Sequence, residues 1–123
     1  MTSEKLTIYH NPCCSKSRET LQILEQHNTQ FQVIEYLDTP PSKSDIRQIV
    51  KKLGVAPIDL LRTAEKAYIE ARYQADLMSD EEIIEAIATH PSLLQRPIVI
   101  CGKKAIIGRP PIKVLDIIPS KSV

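Results

Sequence analysis

The chain has 123 residues, 42% of them hydrophobic and 25% charged, which describes one small globular domain, 1–123, and excludes a multidomain machine. A net charge of +1, 4% aromatic content and no Trp argue against nucleic acid as a partner, since neither phosphate neutralisation nor base stacking is provided for. No apolar run approaches the roughly 20 residues that span a bilayer, and the start MTSEKLTIYH lacks a secretory signal's basic end and apolar stretch, so a soluble cytoplasmic protein with no membrane partner is expected.

Leu6 to Tyr9 is short, apolar and β-branched in its middle, and Asn11-Pro12 stops it, so it reads as a buried strand ending in a tight loop. From Ser15 to His27 the spacing becomes helical, with Thr20, Leu21, Ile23 and Leu24 on one side and Asn28 as the stop. Phe31 to Tyr36 reads as a second strand, followed by a loop at Pro40-Pro41. Ser42 and Ser44 compete as N-caps for a helix with Ile46, Ile49, Val50 and Leu53 at i, i+3, i+4 and i+7, which Gly54 closes. Pro57 opens a further helical stretch through Leu60 and Leu61, and 64–74 is helical or irregular. Ser79 and Glu82 form a capping box ahead of Ile83, Ile84, Ile87 and Ala88, and His90-Pro91 ends that helix.

Pro97 to Cys101, a turn at Gly102-Lys103, and Ala105 to Ile107 make a C-terminal hairpin. Pro110 and Pro111 stand where the first residue of a last helix would be, with Pro119 as its stop and 120–123 fraying. A βαβ unit and a ββα unit joined by helices is the layout of a thioredoxin-like sheet covered by helices.

Cys14 is the sharpest chemical feature. Between a strand end and the first turn of a helix, a sulfur faces unpaired backbone N–H groups and the positive end of the helix dipole, both of which favour thiolate over thiol. Ser15 and Ser17 can donate to the sulfur or to a bound anion, and such polar neighbours suit a small buried hydrophobe poorly. Three cysteines are an odd number and too few for a disulfide scaffold, no CxxC occurs, and no Cys/His set has zinc-finger spacing, so thiol chemistry in a reduced compartment is expected, with no metal. Cys13 reads as a bystander and Cys101 as core. His10 either tunes the thiol and orients Asn11 or is a satisfied polar residue at a strand end. Arg62, Arg96 and Arg109 each lie at a boundary between elements. Their guanidinium forks would match a tetrahedral oxyanion and lower the thiol pKa if they converged, which spacing alone does not show.

The stretch Tyr9-His10-Asn11-Pro12-Cys13-Cys14-Ser15-Lys16-Ser17-Arg18, with Tyr36-Leu37, Pro40-Pro41, Leu60-Leu61-Arg62, Arg96-Pro97-Ile98-Val99 and Gly108-Arg109-Pro110, resembles the glutaredoxin-coupled arsenate reductase (ArsC) family from about Leu6 to Ile118. The resemblance implies an α/β fold, thioredoxin-like or glutaredoxin-like, with a mixed sheet of about four strands and an inserted helical segment. It makes Cys14 the nucleophile, Arg62, Arg96 and Arg109 the oxyanion ligands, His10 and Ser17 helpers, and Pro97 a cis-proline. Arsenate or a similar oxyanion is then the substrate, glutathione a co-substrate rather than a bound cofactor, and glutaredoxin the partner that regenerates the thiol. Cys-Ser-Lys-Ser stands where the best-known members have Cys-Gly-Thr-Ser, Cys13 is an extra thiol, and the match is to the shorter branch of the family.

Two rivals share the fold. A glutathione-dependent thiol-disulfide reductase would show the same monothiol pattern Cys14-x-x-Ser17, and a regulator resembling the Spx proteins, which bind RNA polymerase, would carry the CxxC that Ser17 breaks. A phosphatase-type arsenate reductase needs Cys-x5-Arg, but Glu19 and Thr20 occupy those positions.

Overall fold

The computed structural model describes residues 6–27 and 30–118. The expected stops at Asn28 and Pro119 and the expected fraying of 120–123 lie outside the described residues. By its contacts the chain forms two compact units, Met1–Glu35 with Arg96–Val123, and Tyr36–Gln95.

The first unit is built on four strands, β1 (Leu6–His10), β2 (Phe31–Glu35), β3 (Ile98–Cys101) and β4 (Lys104–Ile107), in the spatial order β2-β1-β3-β4. β1 and β2 are parallel, and the other two pairs are antiparallel. Parallel neighbours need a crossover of a dozen or so residues, which the helix α1 (Ser15–Gln26) supplies. This is the expected thioredoxin-like mixed sheet. Leu6 and Ile8 of β1 share a face with Val99 and Cys101 of β3, and Leu24 of α1 with Val114 and Ile117 closes over them as one aliphatic core. By the same alternation His10 belongs to the α1 face of β1. Cys101 is 5% exposed in that core, as expected of it.

The strand β3 starts at Ile98 rather than Pro97, because proline has no N–H to give to the ladder. Gly102, at φ 59°, makes the two-residue turn into β4. The helix expected after Pro110-Pro111 is instead a 3₁₀ segment, Pro111–Asp116, with bonds such as Lys113 N–H to Pro110 O at 3.0 Å. The prolines at the N-cap and first position lack donors that no helix uses, and the six-residue stretch is too short for a run of α-helical bonds.

The second unit carries α2 (Lys43–Leu53), α3 (Lys66–Glu70) and α4 (Asp80–Thr89). Ser42, not Ser44, caps α2, accepting from the Asp45 amide while Asp45 accepts from the Ser42 amide, both at 3.0 Å, and Gly54 closes the helix in the left-handed region. Ser79 and Glu82 cap α4 in the same reciprocal way. The stretch opened by Pro57 is one 3₁₀ turn, Pro57–Leu60, and Ala64 to Gln74 reduces to the five residues of α3. Ile46, Ile49, Leu60, Ile83, Ile87, Leu93 and Leu94 are all buried. An antiparallel bridge between Leu61 and Leu94 ties the chain on either side of α3 and α4 together.

Candidate active site

The loop after β1 is a tight turn closed by the Cys14 amide donating to Asn11 O at 3.0 Å, and Asn11 Oδ1 holds the Cys13 amide at 2.9 Å. Cys14 is thereby left at the N-cap of α1, with extended backbone, partly buried. That position is where Ser or Asp ordinarily accepts from the second and third amides of a helix. The thiol makes no conventional cap bond, yet the amides turned toward it act on its charge. Burial pushes its pKa up, but the Ser17 amide, the Arg96 guanidinium and the Lys16 amide together outweigh burial and hold it below the ordinary 9.0.

In the sequence Ser15 and Ser17 offer hydroxyls to the sulfur or to a bound anion. Ser17 does something else: its Oγ accepts from the Asn11 amide at 3.0 Å and lies 2.6 Å from His10 Nδ1, with one proton shared between ring and hydroxyl. The hydroxyl therefore ties the start of α1 to the end of β1, and the Ser17 amide is the group that serves the thiolate. His10 is 5% exposed, and burial, aided by the Arg18 charge and opposed by Glu35, lowers its pKa from 6.5. Arg18 is exposed, and its Nη1 donates to Pro12 O at 2.9 Å, bracing the turn.

The hairpin brings Arg96 and Arg109 to the same place. Its register pairs Cys101 with Lys104 and Ile98 with Ile107, the Gly108 amide continues it by donating to Pro97 O at 2.9 Å, and one step further Arg96 faces Arg109. Arg109 Nε donates to Arg96 O at 2.7 Å, which fixes the guanidinium plane, and its Nη2 stands 3.7 Å from Cys14 Sγ as a donor. Arg96-Pro97 is cis, as the resemblance implies, and Arg109-Pro110, for which no such expectation stood, is cis as well.

Arg62 belongs to the second unit. Its Nε donates to Glu65 Oε2 at 3.0 Å and its Nη1 to Gln95 Oε1 at 2.8 Å, while its amide donates to Leu93 O at 2.8 Å, so backbone and side chain are both held. Neither Glu65 nor Gln95 stood out in the sequence, although Glu65 sits at the i+3 spacing of an ion pair.

Gly108 was also missed. A Cβ there would lie 2.6 Å from Thr20 Oγ1 and 2.9 Å from Pro97 Cγ. Thr20 is itself tethered, donating to Lys16 O at 2.9 Å, so it yields poorly. Gly108→Ala is expected to destabilise the chain by about 1–3 kcal/mol through overpacking. It should also shift Arg109, so urea denaturation and the pH dependence of Cys14 alkylation should both change, and unchanged values in both would contradict this role.

The lowered pKa values of Cys14 and His10 carry the same sign for stability. In each case the folded chain binds fewer protons than the unfolded one, so stability rises with pH across the interval between the two pKa values. For His10 the loss begins as pH falls below 6.5 and is complete below its folded pKa. Urea midpoints between pH 5 and pH 8 should show this limb, and His10→Asn should flatten it. Above pH 7, iodoacetamide should report Cys14 thiolate already abundant below pH 9.0, and Arg96→Met should move that midpoint upward.

Among the described residues no group of three or more His, Cys, Asp or Glu could hold a metal ion, and no helix is long and apolar enough to cross a membrane. The model of the ArsC family matches residues 9–117. An arsenate reductase of Haemophilus influenzae is 44% identical over 112 residues, 90% of this chain and 97% of that protein. The uncharacterized protein YfgD of Escherichia coli strain K12 is 41% identical over 117 residues, 94% of this chain and 98% of that protein. The solved structure of an arsenate reductase from Vibrio cholerae superposes with a TM-score of 0.89 at 42% identity, covering 95% of this chain and all of that one.

Proposed function

The chain belongs to the ArsC family, and from that premise we propose that it is an arsenate reductase whose nucleophile is Cys14 and whose oxyanion ligands are Arg62, Arg96 and Arg109. The observation that supports it most is the pair formed by a cysteine with lowered pKa and the Arg109 donor 3.7 Å from its sulfur, braced through Arg96 O. Arsenate is anionic at neutral pH and its arsenic is open to a soft thiolate, so a cationic, hydrogen-bonding pocket around a thiolate suits it. The Cys14 sulfur forms a bond to arsenic, and an arsenic-bound hydroxyl leaves with a proton as water. Guanidinium groups offset the charge that gathers on the remaining oxygens. His10 and Ser17 act as positioning residues, since they hold the turn and the amide that serve the sulfur.

Reduction needs two electrons that Cys14 does not supply, and the sequence has no CxxC partner for it. Glutathione is the proposed external thiol: its sulfur displaces a second arsenic-bound hydroxyl as water, and a glutaredoxin thiol then attacks that sulfur. The glutathione–arsenic bond breaks with its electron pair left on arsenic, which becomes trivalent, and a glutathione–glutaredoxin disulfide departs. Water hydrolyses the remaining Cys14–arsenic bond to release arsenite and restore the thiol. This chemistry suits the reduced cytoplasm. One domain, 1–123, carrying no metal or bound cofactor completes the reading.

A coupled assay with arsenate, glutathione, glutaredoxin and NADPH tests it. Arsenate-dependent NADPH oxidation is expected. Robust reduction of a mixed glutathione disulfide without any arsenate turnover would transfer the function to the thiol-disulfide reductase that Cys14-x-x-Ser17 also fits.

A further inference from the structure

Cys13 carries a thiol that the reaction above does not use. It occupies the turn that the Cys14 amide closes on Asn11 O, its own amide is fixed by Asn11 Oδ1 at 2.9 Å, and it is exposed, whereas Cys14 beside it is partly buried. The pair thus presents one exposed and one partly buried cysteine on a turn whose two amides are both held by Asn11. Adjacent Cα atoms across a trans peptide are about 3.8 Å apart, and closing two such side chains to the roughly 2.0 Å of a disulfide strains them. An atom inserted between the sulfurs relaxes that demand. Trivalent arsenic is such an atom, because it is soft and exchanges its hydroxyls for sulfur ligands.

We propose that Cys13 and Cys14 together chelate trivalent arsenic, so that the product of the proposed reduction is also a ligand of the site. The proposal rests on the arsenate reductase reading for the source of the arsenic. When arsenic is held on Cys14 with two hydroxyls, the Cys13 sulfur forms a second bond to it, one arsenic–hydroxyl bond breaks, and that hydroxyl leaves with the Cys13 proton as water. From free arsenous acid the two thiols expel two waters. Arsenic stays trivalent throughout and no electrons move. Release then requires hydrolysis of two arsenic–sulfur bonds instead of one, which makes arsenite an inhibitor and couples turnover to its removal.

The test is anaerobic titration of the reduced full chain with sodium arsenite, followed by arsenic–thiolate absorbance and native mass spectrometry, on the wild type, Cys13→Ser, Cys13→Ala, Cys14→Ser and Cys101→Ser. One arsenic per chain with loss of two waters is expected for the wild type and Cys101→Ser. Both Cys13 variants should bind at least about tenfold more weakly, lose one water only, and show an arsenite inhibition constant raised by the same factor. Wild-type affinity in both Cys13 variants, or dependence of the adduct on Cys101, would overturn the chelate. Because the titration starts from arsenite, the two readings fail separately. A chain that binds arsenite through both sulfurs but never turns over arsenate refutes the reductase and keeps the dithiol site. Arsenate turnover with arsenite binding indifferent to Cys13 does the reverse.

Discussion

Cys14→Ser is expected to lower arsenate turnover by at least about 1,000-fold while leaving the urea midpoint close to that of the wild type, because the substitution removes the proposed nucleophile and little packing. The amides of Ser17 and Lys16 and the Arg96 guanidinium can hold a thiolate below its ordinary pKa. A serine hydroxyl starts far higher, and its hard oxygen has no comparable affinity for arsenic, so the same surroundings leave it inert. Serine is itself a good N-cap, and α1 should lose nothing by it. Cys101→Ser supplies the control. That side chain lies in the aliphatic core with Leu6, Ile8 and Val99, so its replacement should cost about 1 kcal/mol of stability and change turnover less than about twofold. Turnover lost in a folded Cys101→Ser chain would instead assign Cys101 the part of an internal resolving thiol. Turnover retained in Cys14→Ser would remove the nucleophile assignment altogether.

Arg96→Lys and Arg109→Lys are expected to lower arsenate turnover by about 100-fold and Cys14 alkylation only a fewfold. Lysine keeps the charge that favours the thiolate but loses the planar fork. In Arg109 that fork performs two tasks at once, Nε on Arg96 O and Nη2 toward the sulfur, and no ammonium on a flexible stem can do both. Arg62→Lys is expected to show the same separation, since it would also give up the simultaneous bonds to Glu65 and Gln95 that orient the guanidinium. Reduction of a mixed glutathione disulfide, which presents no tetrahedral oxyanion, should be affected less than arsenate turnover in all three variants. Equal losses in the three assays would mean that the arginines only tune the thiol. Measuring kcat and KM separately adds a further distinction: a ligand of the bound arsenate raises KM, whereas a group acting on the transition state alone lowers kcat with KM unchanged.

The sequence by itself determined the strands and long helices of this protein and the position of Cys14 at a helix start. Those depend on neighbours: the short apolar run Leu6–Tyr9 with its β-branched middle, the i, i+3, i+4 spacing and the reciprocal Ser79–Glu82 cap, and the prolines that punctuate the rest. One long-range fact was present there unread. A two-residue turn at Gly102-Lys103 sets the register of the hairpin, and counting outward from it places Arg96 opposite Arg109, two residues that spacing along the chain had left unrelated. What only the tertiary structure decided was direction and crowding. Ser17 could as well have offered its hydroxyl to the sulfur, but with β1 packed beside α1 it meets His10 and the Asn11 amide first, so its amide serves the thiol instead. Gly108 is a glycine because Thr20 and Pro97, distant in sequence, close over its α-carbon. The segment after Pro110 carries helical spacing in sequence yet settles as 3₁₀, since six residues leave room for few i→i−4 bonds and short helical runs tighten to i→i−3 bonding. Periodicity records which face of an element is buried. It does not record what that face meets, and the roles of these side chains depend on the atoms they meet.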